Sequence, residues 1–423
     1  MDSLLAKAII HKLGSSGTPP EFGLEHFSIG LEPILSAIEE EYLKGILKMG
    51  LSSFKIVTGS YGGGKTHFLY CIRDRAWKEN YVVSYISLNP TECPFDKLEL
   101  VYKAVMTGLS YPMTSAEMMS PWEKGIEPFL RKWAKGLLER SNEDLEAAKE
   151  VINSIRGCES SSFGNALRGA LHSIIQNDEE GFQMAVQWLK GEEIPFEWRS
   201  RFLISERIEK TTAFRMMRSL AQAVNQMGFS GIIFLFDEAE RGLSIYSARD
   251  KRRALDNLRQ LIDECGNARL PGTMIFYAIP DENLLLSGSG GVYEALKQRL
   301  RSSFTEGNPL GVKINLENIG IPPEEFLKSL GNKLADIFEV AYGFKFDRSK
   351  LREVISYLTE TALEYQFDVS YRRIFVISAI EVFQRMRRNV EIPITKKEAK
   401  EAVIDAMKLL TEKAEEESEE EEY

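Results

Sequence analysis

Residues 54–66 read Phe-Lys-Ile-Val-Thr-Gly-Ser-Tyr-Gly-Gly-Gly-Lys-Thr, an apolar run followed by glycines, a lysine and a hydroxyl. From Gly59 to Thr66 the spacing is G-x-x-x-x-G-K-[ST], which suits a polyphosphate. Gly59, Gly62, Gly63 and Gly64 let the chain curl tightly and take positive φ without a Cβ clash. With Ser60 and Tyr61 they form a loop of backbone N–H groups that opens onto a helix starting at Lys65, Thr66 and His67, where the helix dipole favours an anion. Lys65 is placed to reach the β- and γ-phosphates of ATP. The Thr66 hydroxyl is placed to ligate Mg²⁺, which takes a few protein oxygens together with substrate phosphates. A glycine-rich turn between a strand and a helix is the plain alternative.

A second stretch can complete this chemistry. Gly231-Ile-Ile-Phe-Leu-Phe-Asp-Glu is an unbroken apolar run ending in two carboxylates. The run suits a strand buried on both faces of a parallel sheet. Its carboxylates are costly to bury without a cation, so they belong at the carboxyl edge of the sheet, where ligands bind. There Asp237 would hold Mg²⁺ through water, and Glu238 would orient and deprotonate an attacking water. An adjacent Asp-Glu pair also predicts an extra strand between this one and the phosphate-loop strand. The plain alternative is a strand ending in acidic turn residues.

The elements that must position these groups follow from periodicity. Strands are predicted at Phe54–Thr58, Tyr81–Leu88, Gly231–Glu238, Thr273–Ile279 and Val312–Leu316. A helix follows the phosphate loop, and others are expected at 96–109, 247–264 and 292–303. Residues of about 110–228 show no strand pattern. They read as a helical insertion, with helices at 122–140, 143–155, 163–176, 179–190 and 206–227 and with Trp122, Trp133, Trp188 and Trp198 as core. Before the core, 1–50 is an N-terminal arm: a helix over 2–14, an extended piece Phe27–Gly30 and a helix over 31–49. Ile29 and Gly30 either cover the adenine or belong to a simple packing arm. The core spans 51–320. Residues 321–411 form a helical lid with segments 322–340, 348–365, 370–389 and 395–415, the last opened by a Thr395/Glu398 capping box. Residues 412–423, with eight glutamates and one lysine, are expected to be disordered. The fold class is therefore α/β: a three-layer P-loop core with a parallel sheet, a large helical insertion and an all-α lid.

Composition sets broad limits. The chain has 423 residues, 43% hydrophobic and 27% charged, which suits a soluble globular protein of two or three domains. No apolar run approaches membrane-spanning length, and the first residues lack a secretory pattern, so a cytoplasmic setting without membrane contact is expected. Four scattered cysteines argue against a zinc site or disulfide framework. Seven of the ten net negative charges lie in residues 412–423, so the remainder is close to neutral. Global charge therefore gives no support for nucleic-acid binding. Arg249 to Arg253 and Arg385 to Arg388 are local basic patches, readable as DNA contacts or as solvated helix faces.

Four phrases carry a resemblance to a known family: Gly59-Ser-Tyr-Gly-Gly-Gly-Lys-Thr-His-Phe-Leu, Tyr81-Val-Val-Ser-Tyr-Ile-Ser-Leu, Gln187-Trp-Leu-Lys-Gly-Glu and Gly231-Ile-Ile-Phe-Leu-Phe-Asp-Glu-Ala-Glu. Over nearly its whole length the chain resembles the BREX-system ATP-binding proteins of the BrxD type, from phage-defence clusters that often include a large helicase. Those proteins are similar in architecture to the origin-recognition and STAND branches of the ASCE/AAA+-like ATPases. The resemblance implies that Arg299 stands near the nucleotide or in a neighbour's site, and that Arg372 or Arg373 is a lid arginine touching the γ-phosphate. One departure is Ile279, where such proteins carry a polar residue to position water; Asp281 and Asn283 are the nearest substitutes. Two functions follow as expectations. One is a Mg²⁺-dependent ATPase acting as a switch or loader for a DNA-processing partner, in particular a helicase. The other is an ATP-binding, weakly hydrolysing scaffold that regulates a partner. DNA itself, and a second copy in a homo-oligomer or an ATP-bridged dimer, are further partners in question.

Overall fold

Ser53–Thr58 (β1) and the largely apolar Gly231–Asp237 (β4) are inner strands of a six-stranded sheet. The others are Tyr81–Ser87 (β2), Leu109–Ser110 (β3), Thr273–Ile279 (β5) and Lys313–Asn315 (β6). The computed structural model describes residues 1–245, 247–286, 291–305, 307–365, 370–389 and 393–421. Strand order is β3-β2-β4-β5-β1-β6. All pairings are parallel except β2 with the short β3, which periodicity missed because it has only two residues. β5 lies between β1 and β4, so the extra strand expected from the adjacent acidic pair is present.

Alternation along the strands divides the core in two. Val57, Val83, Ile233, Leu235 and Phe276 face one side, with the helix Lys65–Lys78, the N-terminal arm and the C-terminal helices. Ile56, Val82, Ile232, Phe234 and Phe236 face the other, with the helical insertion. Both faces being covered explains why β4 is apolar from Ile232 to Phe236. Gly231 starts β4 at a φ of 150°, where a Cβ would run into the Gly272 carbonyl; only glycine fits this approach.

The insertion is helical, at Ile126–Arg140, Leu145–Ser154, Ser161–Ile175 and Glu179–Leu189, with short additions Ser115–Met118 and Phe196–Arg201. Its expected last helix, 206–227, is Ala213–Gln226, which packs on β4 and on the helix Leu98–Thr107 and so belongs to the sheet's cover. Trp133 and Trp188 are buried in the insertion core, whereas Trp122 packs edge-on against Trp77 of the phosphate-loop helix, 6.3 Å between centroids.

The arm departs from expectation. Phe27–Gly30 is not extended; a short 3₁₀ turn, Leu24–His26, precedes it, and the Ser28 N–H donates to the Leu24 carbonyl. The helix expected over 31–49 is three pieces, Glu32–Ile38, a π segment Glu39–Leu43 and a 3₁₀ turn Ile46–Met49. At Gly45 a Cβ would strike the Glu41 carbonyl, so the chain must turn there. The first helix, Ser3–Ser16, packs on Pro323–Tyr342 and Tyr371–Arg388, making it structurally a member of the C-terminal bundle. That bundle also contains Arg348–Leu363 and Lys396–Glu421. The capping box at its last helix is present: the Thr395 N–H donates to Glu398 Oε2 (2.8 Å), and the Glu398 N–H to Thr395 Oγ1 (3.3 Å). The last helix is described to Glu421, and residues 422–423 of the acidic tail lie outside the described residues.

Lys55 on β1 is 1% exposed. Its ammonium donates to Tyr42 Oη (2.6 Å) and to the carbonyls of Gly311 (2.6 Å) and Pro309 (3.2 Å), tying arm, phosphate-loop strand and the approach to β6 together. Burial pulls its pKa down to about 7 from an ordinary 10.5. Between those values the unfolded chain binds a proton that the folded chain releases, so this side chain adds stability as pH rises. Relative to Lys55→Met, the wild-type unfolding free energy should climb by about 1 kcal/mol per pH unit between about pH 7.5 and 9.5. Urea denaturation across that range reads the difference; parallel curves would mean the buried ammonium keeps its ordinary proton affinity.

Candidate nucleotide-binding site

The ends of β1 and β4 bring the two chemical stretches together. Past β1 the chain curls through Gly62 and Gly64, both at positive φ (69° and 93°), into Lys65–Lys78. This helix has no side-chain cap at its N-terminus, so its first N–H groups face the cavity in front of the loop. Lys65 is 8% exposed, and its ammonium folds back on the carbonyls of Gly59 (2.7 Å) and Ser60 (3.1 Å). Burial lowers its pKa, opposed by the carboxylates of Glu240, Asp237 and Glu317.

Asp237 ends β4, 2% exposed, and its Oδ2 accepts from Thr66 Oγ1 (2.7 Å) and Tyr85 Oη (2.6 Å). The backbone then reverses: Glu238 has a φ of 51°, a region costly for a residue with a side chain and typical of functional turns. The Glu238 N–H bonds Asp237 Oδ1 (2.9 Å), while its carboxylate accepts from Ser87 Oγ (2.9 Å) and pairs with Arg241 (3.3 Å). Glu240 also faces the cavity, and burial pushes its carboxyl up.

The cavity, counted with the open solvent at its mouth, has a volume of about 1100 Å³, and its lining is of two kinds. One is polar, formed by the loop, Thr66, His67, Asp237, Glu238 and Glu240. The other is apolar and includes Phe27, Ile29 and Leu31 of the arm with Phe326 and Leu330 of the C-terminal bundle. Ile29 therefore lines the cavity. Gly30 does not; it lies against Ile319 and Ile321, where a Cβ would clash at 2.9 and 2.7 Å, and at a φ of 71° it lets the arm pass close. His67 Nε2 is 2.7 Å from Ser28 Oγ, and burial pushes the His67 pKa down to about 4, leaving the ring neutral. Ser28 Oγ also lies 2.8 Å from the Leu24 carbonyl, so it joins the ring to the turn that precedes it.

The three arginines named from the sequence divide as the fold dictates. Arg372 and Arg373 both line the cavity. Arg372 donates to the Gly63 carbonyl and stacks on Phe326, 4.7 Å from its centroid. Arg299 is elsewhere. It forks onto Asp263 (2.6 and 3.0 Å) between the helices Gly291–Arg299 and Ala248–Gly266, away from the cavity wall. A role for Arg299 within its own site is thus not met. Ile279 is fully buried, and its carbonyl accepts from the Gly59 N–H (3.3 Å). Neither proposed substitute is on the wall: Asp281 bonds Asn283 instead. In the basic patches, Arg253 pairs with Asp250 (3.1 Å), Arg385 with Glu381, and Arg387 stacks on Tyr342.

Periodicity missed Tyr85, Ser87 and Glu317. For the first two a signal existed: they are alternate residues of β2, on the edge that lies beside Asp237 once β2 pairs with β4. Glu317 follows β6 on the same carboxyl edge of the sheet.

These donors fit a magnesium-bound triphosphate. An uncapped helix end and a buried lysine suit phosphate, and a buried carboxylate bonded to a helix-start hydroxyl suits a hard divalent cation. Among the described residues there is no cluster of three or more His, Cys, Asp or Glu with metal-ligand geometry. A cation here would draw on Thr66, Asp237 and substrate oxygens.

The family model for the BREX system ATP-binding protein BrxC/D matches residues 3–401. The chain belongs to this family. No curated protein and no solved structure matches it. The BrxC/D match covers arm, sheet, insertion and bundle together. No helix among the described residues is long and apolar enough to cross a membrane.

Proposed function

We propose that this BrxC/D-family chain is a Mg²⁺-dependent ATPase of the ASCE/AAA+-like class that acts as a nucleotide-driven switch for a DNA-processing partner. The observation that carries the reading is the meeting of Thr66 and Asp237 at 2.7 Å across 171 residues of sequence, beside Lys65 and Glu238. The apolar lining of the cavity offers shape and contact to a purine base. Lys65, with Arg372 and Arg373, neutralises phosphate charge. Thr66 and Asp237 would hold Mg²⁺, which supplies further neutralisation at the phosphates. Glu238 orients a water and takes its proton as the oxygen bonds to the γ-phosphorus and the bond to ADP breaks. Ser87 and Arg241 fix that carboxylate meanwhile.

The cavity lies between sheet and bundle, so a change in its occupant is felt by the lid. Family membership supports a defence setting; a helicase as the reader of the switch is part of the proposal. The test is titration with Mg-ATP by calorimetry, followed by phosphate release. Binding with turnover supports the reading, and absence of any heat or thermal shift ends it. A second reading, an ATP-binding scaffold with little hydrolysis, is favoured by Ile279, which puts no polar group where water would be positioned. Tight binding without phosphate release would select it.

A further inference from the structure

Glu317 lies between β6 and the lid helix Pro323–Tyr342 and has no part in the reaction described above. Its backbone is held firmly. The Leu316 N–H donates to the Thr58 carbonyl (2.9 Å), and the Glu317 N–H to Asn315 Oδ1 (2.9 Å). This aims the carboxylate at the phosphate loop. Oε1 accepts from both the Ser60 N–H (2.8 Å) and Ser60 Oγ (2.7 Å), while Oε2 lies 3.7 Å from Arg372. Gly63 makes room for it: a Cβ there would stand 2.8 Å from Oε1.

The place of this contact matters. Lys65 Nζ, the group that reaches toward the β- and γ-phosphates, lies on the carbonyls of Gly59 and Ser60. The Ser60 end of the loop is thus the terminal-phosphate end, and the helix N-terminus is the other. Glu317 puts a negative charge at the first of these. It also engages the lid arginine that a terminal phosphate would attract.

We infer that Glu317 is a specificity-determining residue that makes the site distinguish a nucleoside triphosphate from a diphosphate. Glu317 and Ser60 are not on the cavity wall, but Gly63 and Arg372, which the carboxylate touches, are: a γ-phosphate must draw Arg372 away from Glu317, whereas a diphosphate leaves that contact in place. Binding of the triphosphate therefore pushes on the link to the lid. Like charges in a partly desolvated site repel strongly, so the penalty falls on the longer nucleotide. This rests on the nucleotide-binding reading above and deepens it.

The experiment measures Kd for Mg-ATP and Mg-ADP by calorimetry on wild type, Glu317→Gln and Glu317→Ala, with thermal melting to verify folding. Both variants should tighten ATP about tenfold and change ADP less than about twofold. Glutamine keeps the shape and loses the charge, so it separates repulsion from packing. If ATP and ADP shift together, or neither shifts, Glu317 does not discriminate and the inference falls while nucleotide binding stands. If wild type binds neither nucleotide, both readings fall.

Discussion

Glu238→Gln should slow phosphate release at saturating Mg-ATP by at least about a hundredfold while leaving the Kd for ATP within about threefold of wild type. Glutamine preserves the volume and can still accept from Ser87 Oγ, which lies 2.9 Å from the carboxylate. It cannot take a proton from water. The backbone reversal that presents this residue at a φ of 51° is set by the turn after β4 and does not need the carboxylate, so the fold should persist. A slow single-turnover rate with undiminished binding identifies the carboxylate as the base. Equal phosphate release by wild type and variant would instead assign the chain to the weakly hydrolysing scaffold reading.

Lys65→Ala should weaken ATP binding about a hundredfold or more, a loss of about 3 kcal/mol. The ammonium is almost wholly buried, and its present partners are loop carbonyls. Those carbonyls can bond water when the lysine is gone, but nothing on the cavity wall replaces its charge at the same point. The ligand-induced rise in melting temperature, which grows with the ratio of ligand concentration to Kd, should then vanish at millimolar ATP. A variant stabilised by ATP as strongly as wild type would show that phosphate is held elsewhere.

The two effects separate because the residues act at different stages. Lys65 meets the ground-state phosphates, so its loss appears in affinity. Glu238 meets the water only as the bond forms, so its loss appears in turnover.

Legibility in the sequence follows the range of the forces involved. Gly59 to Thr66 could be read directly because a phosphate cradle is local: tight curl, helix start, lysine and hydroxyl all fall within eight residues. The apolar run ending at Asp237 was equally plain, since burial on both sheet faces leaves a continuous hydrophobic segment. Their meeting could be inferred, because adjacent acids at the end of a buried strand need a cation. The helices of the lid and insertion were recoverable from period alone, apart from their ends. The arm was not: Gly45 and the packing of Ser3–Ser16 on the C-terminal bundle divide a stretch that periodicity joined.

The sequence by itself determined the phosphate loop, the acidic pair, the covered parallel sheet and the helical bundle, each set by residues close in the chain. Only the tertiary structure decided the rest. It sent Arg299 to Asp263 and Arg372 to the phosphate loop, although both are arginines in helical segments. It also set Ser87 on Glu238, and Glu317 on Ser60 across 257 residues. A charged side chain takes whichever counter-charge or donor the packed elements bring within about 3–4 Å. That choice depends on strand register and helix docking, which no local pattern of residue types records.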